Sequence, residues 1–180
     1  MIQETVRVTV KLIYETHSTT LDNEQGIATG WLPGELSEAG RRQAAELGAR
    51  RGEVDLVFSS DLRRAVQTVE AAGLTVPHFQ DWRLRECNYG SLNGAPREAL
   101  EPRPQRVHTP FPGGQSYWEV MELTRSFLED LKRWHNGKVV LVVAHSANRW
   151  SLDHLLDSRA SLEDLVAAPF EWRPGWVYEV

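Results

Sequence analysis

One cysteine, Cys87, in 180 residues excludes an intrachain disulfide and a four-thiolate zinc site. The chain has no excess of positive charge: the formal net charge is −5 and the pI near 5.7, which gives no basic field for nucleic acid. It also lacks an apolar run of membrane-spanning length, and its first residues, Met1-Ile2-Gln3-Glu4-Thr5, lack the basic start and apolar stretch of a secretory leader. The expectation is a cytoplasmic protein with no membrane and no nucleic-acid partner. No internal repeat and no low-complexity segment interrupts it. At 41% hydrophobic residues the length suits a single domain, 1–180, with one sizeable core. The seven tryptophans are expected mostly to fill that core or its edges.

Against these absences stands a regular alternation. Val6 to Tyr14 is rich in β-branched and aliphatic residues and suits a strand, ending at Glu15-Thr16-His17. A polar stretch follows to Gly34, and Ser37 then opens a helix that closes near Gly52. Asp55 to Phe58 forms a short apolar strand, and Asp61 is placed to cap a helix through about Ala72. Val76 to Phe79 offers another short strand. Between Asp81 and Gly114 lie five of the nine prolines, which predicts an irregular substrate loop or lid. Ser116 to Trp134 is amphipathic, with Val120, Leu123, Phe127, Leu128 and Leu131 on one face. Lys138 to Ala144 is apolar without alternation, as in a strand buried on both faces, and runs into His145. Ala147 to Leu156 and Ser161 to Ala168 read as helices, Trp176 to Val180 as a final strand. This order predicts an α/β fold, a three-layer α/β/α sandwich with a mostly parallel central sheet.

In such sheets ligands sit beyond the carboxyl ends of the strands. Three strands end there in His17, in Ser59-Ser60-Asp61 with Arg64 one turn into the helix, and in His145. Two ring nitrogens and a guanidinium form a pocket suited to phosphate. A histidine attacks phosphorus when one ring nitrogen is unprotonated and a hydrogen bond at the other aims it, and arginine holds phosphoryl oxygens in a two-pronged fork. His145, in its cationic form, would stabilise charge on the transferring group. Each residue alone is also compatible with plain packing or a solvated surface, so the neighbouring residues decide.

Those neighbours resemble the histidine phosphatase superfamily, also called phosphoglycerate mutase-like, over most of the chain. Leu12-Ile13-Tyr14-Glu15-Thr16-His17-Ser18-Thr19-Thr20 is similar to the strand ending in the family's Arg-His-Gly signature, which implies that His17 is the phosphorylated histidine. Asn23 falls where the family has a phosphate-contacting asparagine. Phe58-Ser59-Ser60-Asp61-Leu62-Arg63-Arg64-Ala65 resembles the second signature and puts Arg64 at its phosphate-binding arginine. Leu84-Arg85-Glu86, followed by Gly90 and Gly94, resembles the segment that supplies the proton donor, implying that role for Glu86. Pro112-Gly113-Gly114-Gln115-Ser116 resembles the start of the long helix, and Val142-Val143-Ala144-His145 the strand with the second catalytic histidine.

The resemblance breaks at the first signature, where Thr16 replaces the arginine and Ser18 the glycine. One neutral hydroxyl in place of a charged fork costs about 2 to 4 kcal/mol of transition-state stabilisation, by analogy with loss of an oxyanion donor. Glu15 would repel phosphate if it faced the pocket; otherwise it pairs with an arginine elsewhere. Arg149, four residues after His145, is the candidate to restore the charge. Thr16, Ser18, Asn23, Arg64 and Arg149 are thus the expected phosphate ligands, with His17, Glu86 and His145 catalytic. Arg97, Arg103, Arg106 and His108 are placed to meet the rest of a substrate, or to be surface. The reading is a metal-independent, cofactor-free phosphomonoesterase acting on a small phosphorylated substrate. Its rivals are a degenerate member that binds phosphate esters or a protein partner without turnover, and a mutase. The oligomeric state is left open, a dimer included.

Overall fold

The computed structural model describes residues 9–157 and 160–180. In chain order the elements are β1 (Lys11–Thr16), α1 (Leu21–Glu24), β2 (Ile27–Ala28), α2 (Glu38–Arg50), β3 (Leu56–Ser59), α3 (Arg63–Ala72) and β4 (His78–Gln80). They continue with β5 (Ala95–Pro96), α4 (Tyr117–Trp134), β6 (Val139–Ala144), α5 (Ser146–Leu156), α6 (Leu162–Ala167) and β7 (Trp176–Glu179). The start of the strand expected from Val6 lies outside the described residues; β1 itself runs two residues past Tyr14.

Five strands form the main sheet in the order β4-β3-β6-β1-β7, parallel except for β7, which runs antiparallel to β1. The strand at its centre, β6, is buried from Val140 to Ala144 because helices cover both faces. Alternation sorts its side chains. Val140, Val142 and Ala144 join Leu12, Tyr14 and the Phe127, Leu128 and Leu131 stripe of α4, whereas Leu141 and Val143 join Ile13, Val57, Leu47 of α2 and Val69 of α3. The result is the three-layer α/β/α sandwich with a mostly parallel sheet. A third apolar cluster ties the proline-rich segment down, with Leu100, Val107 and Phe111 packed against Tyr117, Met121, Trp150, Leu162 and Val166.

Three expectations are corrected. Asp61 does not cap α3: Leu62 is the N-cap residue and no side chain caps it, because both Asp61 oxygens accept from Arg85, at 2.7 and 2.6 Å. The polar stretch after His17 contains a short helix, α1, closed by a capping box between Thr20 and Asn23. The tryptophans are not mostly core. Trp150 and Trp176 are buried, but Trp82, Trp118, Trp134 and Trp172 are exposed. No helix among the described residues is long and apolar enough to cross a membrane.

Candidate active site

Parallel register brings the chemistry together. Thr16 pairs with Ala144 and Ser59 with Val143, so His17, His145 and Ser60 leave the sheet side by side at its carboxyl edge. The rings of His17 and His145 lie 5.1 Å apart. The His17 ring enters a cavity of about 520 Å³ whose lining includes Thr16, Thr19, Asn23, Gln43, Arg64, Glu86 and Ser146.

His17 is aimed by its own neighbour. Its Nδ1 lies 2.8 Å from the Ser18 carbonyl, which can only accept, so Nδ1 carries the proton and Nε2 the lone pair. Arg64 Nε donates to that Nε2 at 3.3 Å. Burial, and then the Arg64 charge, push the His17 pKa down to about 3, against the opposing pull of the Ser18 carbonyl. The ring is neutral and nucleophilic at physiological pH. Ser18 itself is buried: its N–H donates to Thr68 Oγ1, which donates to the Arg64 carbonyl, so the backbone beside His17 is strapped to α3. Its carbonyl orients the His17 ring, and its side chain is not among those that line the cavity.

Arg64 is buried in the first turn of α3, with Nη2 donating to Gly30 O at 2.8 Å and Nη1 to Leu32 O at 3.3 Å. Those carbonyls fix the guanidinium plane beside His17. His145 is fully buried, and Tyr14 Oη holds its carbonyl at 2.5 Å. Its Nε2 meets Ser60 Oγ at 2.7 Å, and that hydroxyl already accepts from Leu62 N–H. The contact pins the His145 ring, and its Nδ1 is buried without a hydrogen-bond partner among the described residues. Burial, Arg64 and His17 hold the pKa of His145 well below the ordinary histidine value, so the resting ring is neutral.

Glu86 is buried, and burial raises its pKa above the ordinary carboxyl value. The Cys87 N–H at 2.8 Å, Arg64, Ser146 Oγ at 3.1 Å and the Ala147 N–H pull the other way. Trp31 Nε1 donates to the Glu86 carbonyl at 2.6 Å and anchors the segment.

Thr16, Asn23, Arg64, His17 and Glu86 thus share one cavity, and His145 abuts it through the His17 ring. Arg149 is not brought there. It pairs with Asp153 one turn along α5 and lies 5.1 Å over the Trp176 ring. Glu15 also stays out of the cavity, buried under Arg50 and Arg51 at 2.7 and 2.8 Å. Of the proline-rich segment's cations, Arg97 and Arg103 line the cavity, while Arg106 lies over Phe111 and His108 pairs with Glu163.

Sequence reasoning missed Gln43, Ser146 and the far walls of the cavity, built from Ile27, Tyr89, Leu100, Trp150, Phe170 and Trp172. Gln43 left a signal: it sits among Gly40, Ala44 and Leu47, the buried stripe of α2. The others come from separate segments and share no local pattern.

Fold and pocket together define an α/β/α protein with a cavity centred on a histidine pair. The chain belongs to the histidine phosphatase superfamily, branch 1, whose family model matches residues 16–166. Over 94 residues it is 42% identical to the 2,3-bisphosphoglycerate-dependent phosphoglycerate mutase of Streptococcus agalactiae, a match covering 47% of this chain and 41% of that one. The chain therefore spans less than half the length of that relative. The Tropheryma whipplei enzyme of the same name is 29% identical over 170 residues, 74% of this chain and 77% of its own. Among solved structures, Bacillus stearothermophilus YhfR superposes with a TM-score of 0.81 at 25% identity, covering 93% of this chain and 90% of that one. A mycobacterial glucosyl-3-phosphoglycerate phosphatase in complex with VO3 does so with 0.71 at 29% identity, covering 91% and 88%.

Proposed function

We propose that this chain is a phosphomonoesterase that works through a phosphohistidine. The observation that carries the reading is the pinned tautomer of His17: Nδ1 tied to Ser18 O, with Nε2 left as a lone pair beside Arg64 and Glu86 in one cavity. His17 Nε2 attacks phosphorus while the bond from phosphorus to the leaving oxygen breaks, and Glu86 gives its proton to that oxygen. Water then attacks phospho-His17, Glu86 carboxylate takes the water proton, the P–N bond breaks, and orthophosphate leaves. Arg64 and the amide of Asn23 hold the phosphoryl oxygens, and His145 stands against the His17 ring behind them. The leaving group lies in the apolar end of the cavity, against Tyr89, Leu100, Phe170 and Trp172, with Arg97 and Arg103 at its rim. Arg97 and Arg103 in the same lining also suit a second anionic group, so the assay below separates hydrolysis from transfer.

The test is incubation with 2-phenylethyl phosphate in EDTA, followed by released phosphate and acid-labile phosphohistidine, with His17→Ala in parallel. Release and labelling by the native chain and neither by the variant are expected. Absence of both across a panel of esters would move the reading to its rival, a binder without turnover, which Thr16 in place of the arginine favours. Transfer to an added alcohol phosphate in preference to water would identify a mutase.

A further inference from the structure

Thr16 offers no charge, Arg149 is engaged elsewhere, and Glu15 faces away from the cavity under two arginines. Donors to the cavity that Thr16 and His17 line must therefore come from another source. The two residues after Ser18 point to it. Thr19 N–H donates to Gln43 Oε1 at 3.0 Å, and Thr20 N–H donates to Asn23 Oδ1 at 3.1 Å. A backbone N–H can only donate, so the carboxamide atom that meets it is the oxygen, and the NH2 arm takes the other side of each amide. Consecutive peptides thus occupy both oxygens. Both NH2 groups are without a hydrogen-bond partner among the described residues, and both residues line the cavity with Thr16 and His17.

Gln43 does not reach this position by chance of rotamer. The Thr19 peptide is clamped on both sides by the start of α2: its carbonyl accepts from Ser37 N–H at 3.0 Å, and its N–H goes to Gln43. Gly40, one turn before Gln43, allows the approach, since a Cβ there would lie 1.9 Å from Thr19 O. The Gln43 amide is therefore preorganised, and a preorganised neutral donor loses little entropy when an oxyanion arrives.

We propose that Gln43 is a phosphate-binding residue which, paired with Asn23, supplies donors to the cavity that Thr16 and His17 line. This rests on the phosphate-site reading above, but not on turnover. The competing assignment is that Gln43 only braces Thr19. Gln43→Glu separates the two, because glutamate keeps an oxygen for the Thr19 N–H and turns the cavity-facing donor into an acceptor. Gln43→Ala loses brace and donor together.

The experiment is titration of the native chain and these variants with orthophosphate by calorimetry, with thermal midpoints recorded alongside. Arg97→Gln, in the same lining, changes the charge by the same one unit and measures how much charge alone weakens binding. We expect Gln43→Glu to weaken orthophosphate at least tenfold, more than Arg97→Gln and more than Gln43→Ala, with the native midpoint retained best in Gln43→Glu. Affinity of Gln43→Glu equal to or better than that of Gln43→Ala, or no weaker than that of Arg97→Gln, overturns the assignment and leaves a brace. If the native chain binds orthophosphate and hydrolyses no ester, the phosphatase reading falls and this one stands or falls on the variants. If it binds no orthophosphate at millimolar concentration, both fall.

Discussion

Glu86 is buried among groups that pull on its proton in opposite directions. Burial raises its pKa, and the Cys87 amide, Arg64 and the Ser146 hydroxyl restrain the rise. As the acid for the leaving oxygen it must be protonated, so the first chemical step is lost as pH rises through that raised pKa. On the acid side the limit is His17, which becomes protonated only near its pKa of about 3. The rate of phosphohistidine formation should therefore be greatest between the His17 pKa of about 3 and the raised pKa of Glu86, and fall as pH rises through the latter. Glu86→Gln keeps the size and a hydrogen-bonding group but cannot give the proton, so kcat should drop by about 10²- to 10⁴-fold and the alkaline fall should disappear. Single-turnover rates across pH check both. An alkaline limb that survives in the variant would assign the proton to another group. At this scale Arg149 shows where sequence spacing stops being informative. Four residues past His145 looked close enough to help, yet Asp153 one turn on and the Trp176 ring of β7 claim its guanidinium, and no distance along the chain to His145 reveals either.

Helix α2 does two separate jobs at its two ends, each through a glycine. At Gly40 a Cβ would lie 1.9 Å from the Thr19 carbonyl, in the loop that carries the nucleophile. At Gly48 it would lie 1.8 Å from the Ala72 carbonyl, where α2 packs on α3 away from the cavity. Neither carbonyl is the end of a flexible side chain, so backbone has to move, at a cost of about 1 to 3 kcal/mol by analogy with overpacked cores. Both alanine variants should melt at lower temperature. Gly40→Ala should also lose most of its kcat/KM, while Gly48→Ala should keep it. Melting curves and initial rates on the same preparations decide, and full activity in Gly40→Ala would show that the loop tolerates the shift. The elements themselves were largely legible. The stripe from Val120 to Leu131 and the unbroken apolar run of β6 are local patterns that burial enforces, and the structure keeps both. Helix α1 was not, since four residues are too few to show a period. Asp61 looked like a cap because aspartate caps well, but a two-pronged pair with Arg85, 24 residues away, takes both its oxygens.

On the phosphatase reading, the whole molecule decides which leaving group the cavity accepts. Its chemical head could be read from sequence because each residue there closes a strand or opens a helix. Its apolar end draws on β2, the segment around Tyr89, Leu100, α5 and the stretch between α6 and β7, and such an assembly has no signature in any one window. Two of its residues, Phe170 and Trp172, are exposed at 38% and 58% while facing the same cavity. The stretch that carries them is held at its far end, where Arg51 Nη2 donates to Pro174 O at 2.7 Å and Gly175 takes a φ of +97°. Trp172 is therefore presented at the cavity mouth, and an apolar leaving group seated there would cover it. An aromatic contact of about 0.5 to 1.5 kcal/mol beyond area burial amounts to about a 2- to 12-fold change in affinity, at 1.4 kcal/mol per tenfold. Trp172→Ala should raise KM for 2-phenylethyl phosphate by about that factor or more, leave KM for ethyl phosphate unchanged, and change kcat for neither, because both leaving alcohols need the same proton from Glu86. The exposed position should leave the thermal midpoint where it is. A KM ratio between the two esters that does not move in the variant would mean that the leaving group lies elsewhere, with Arg97 and Arg103 as the next walls to test.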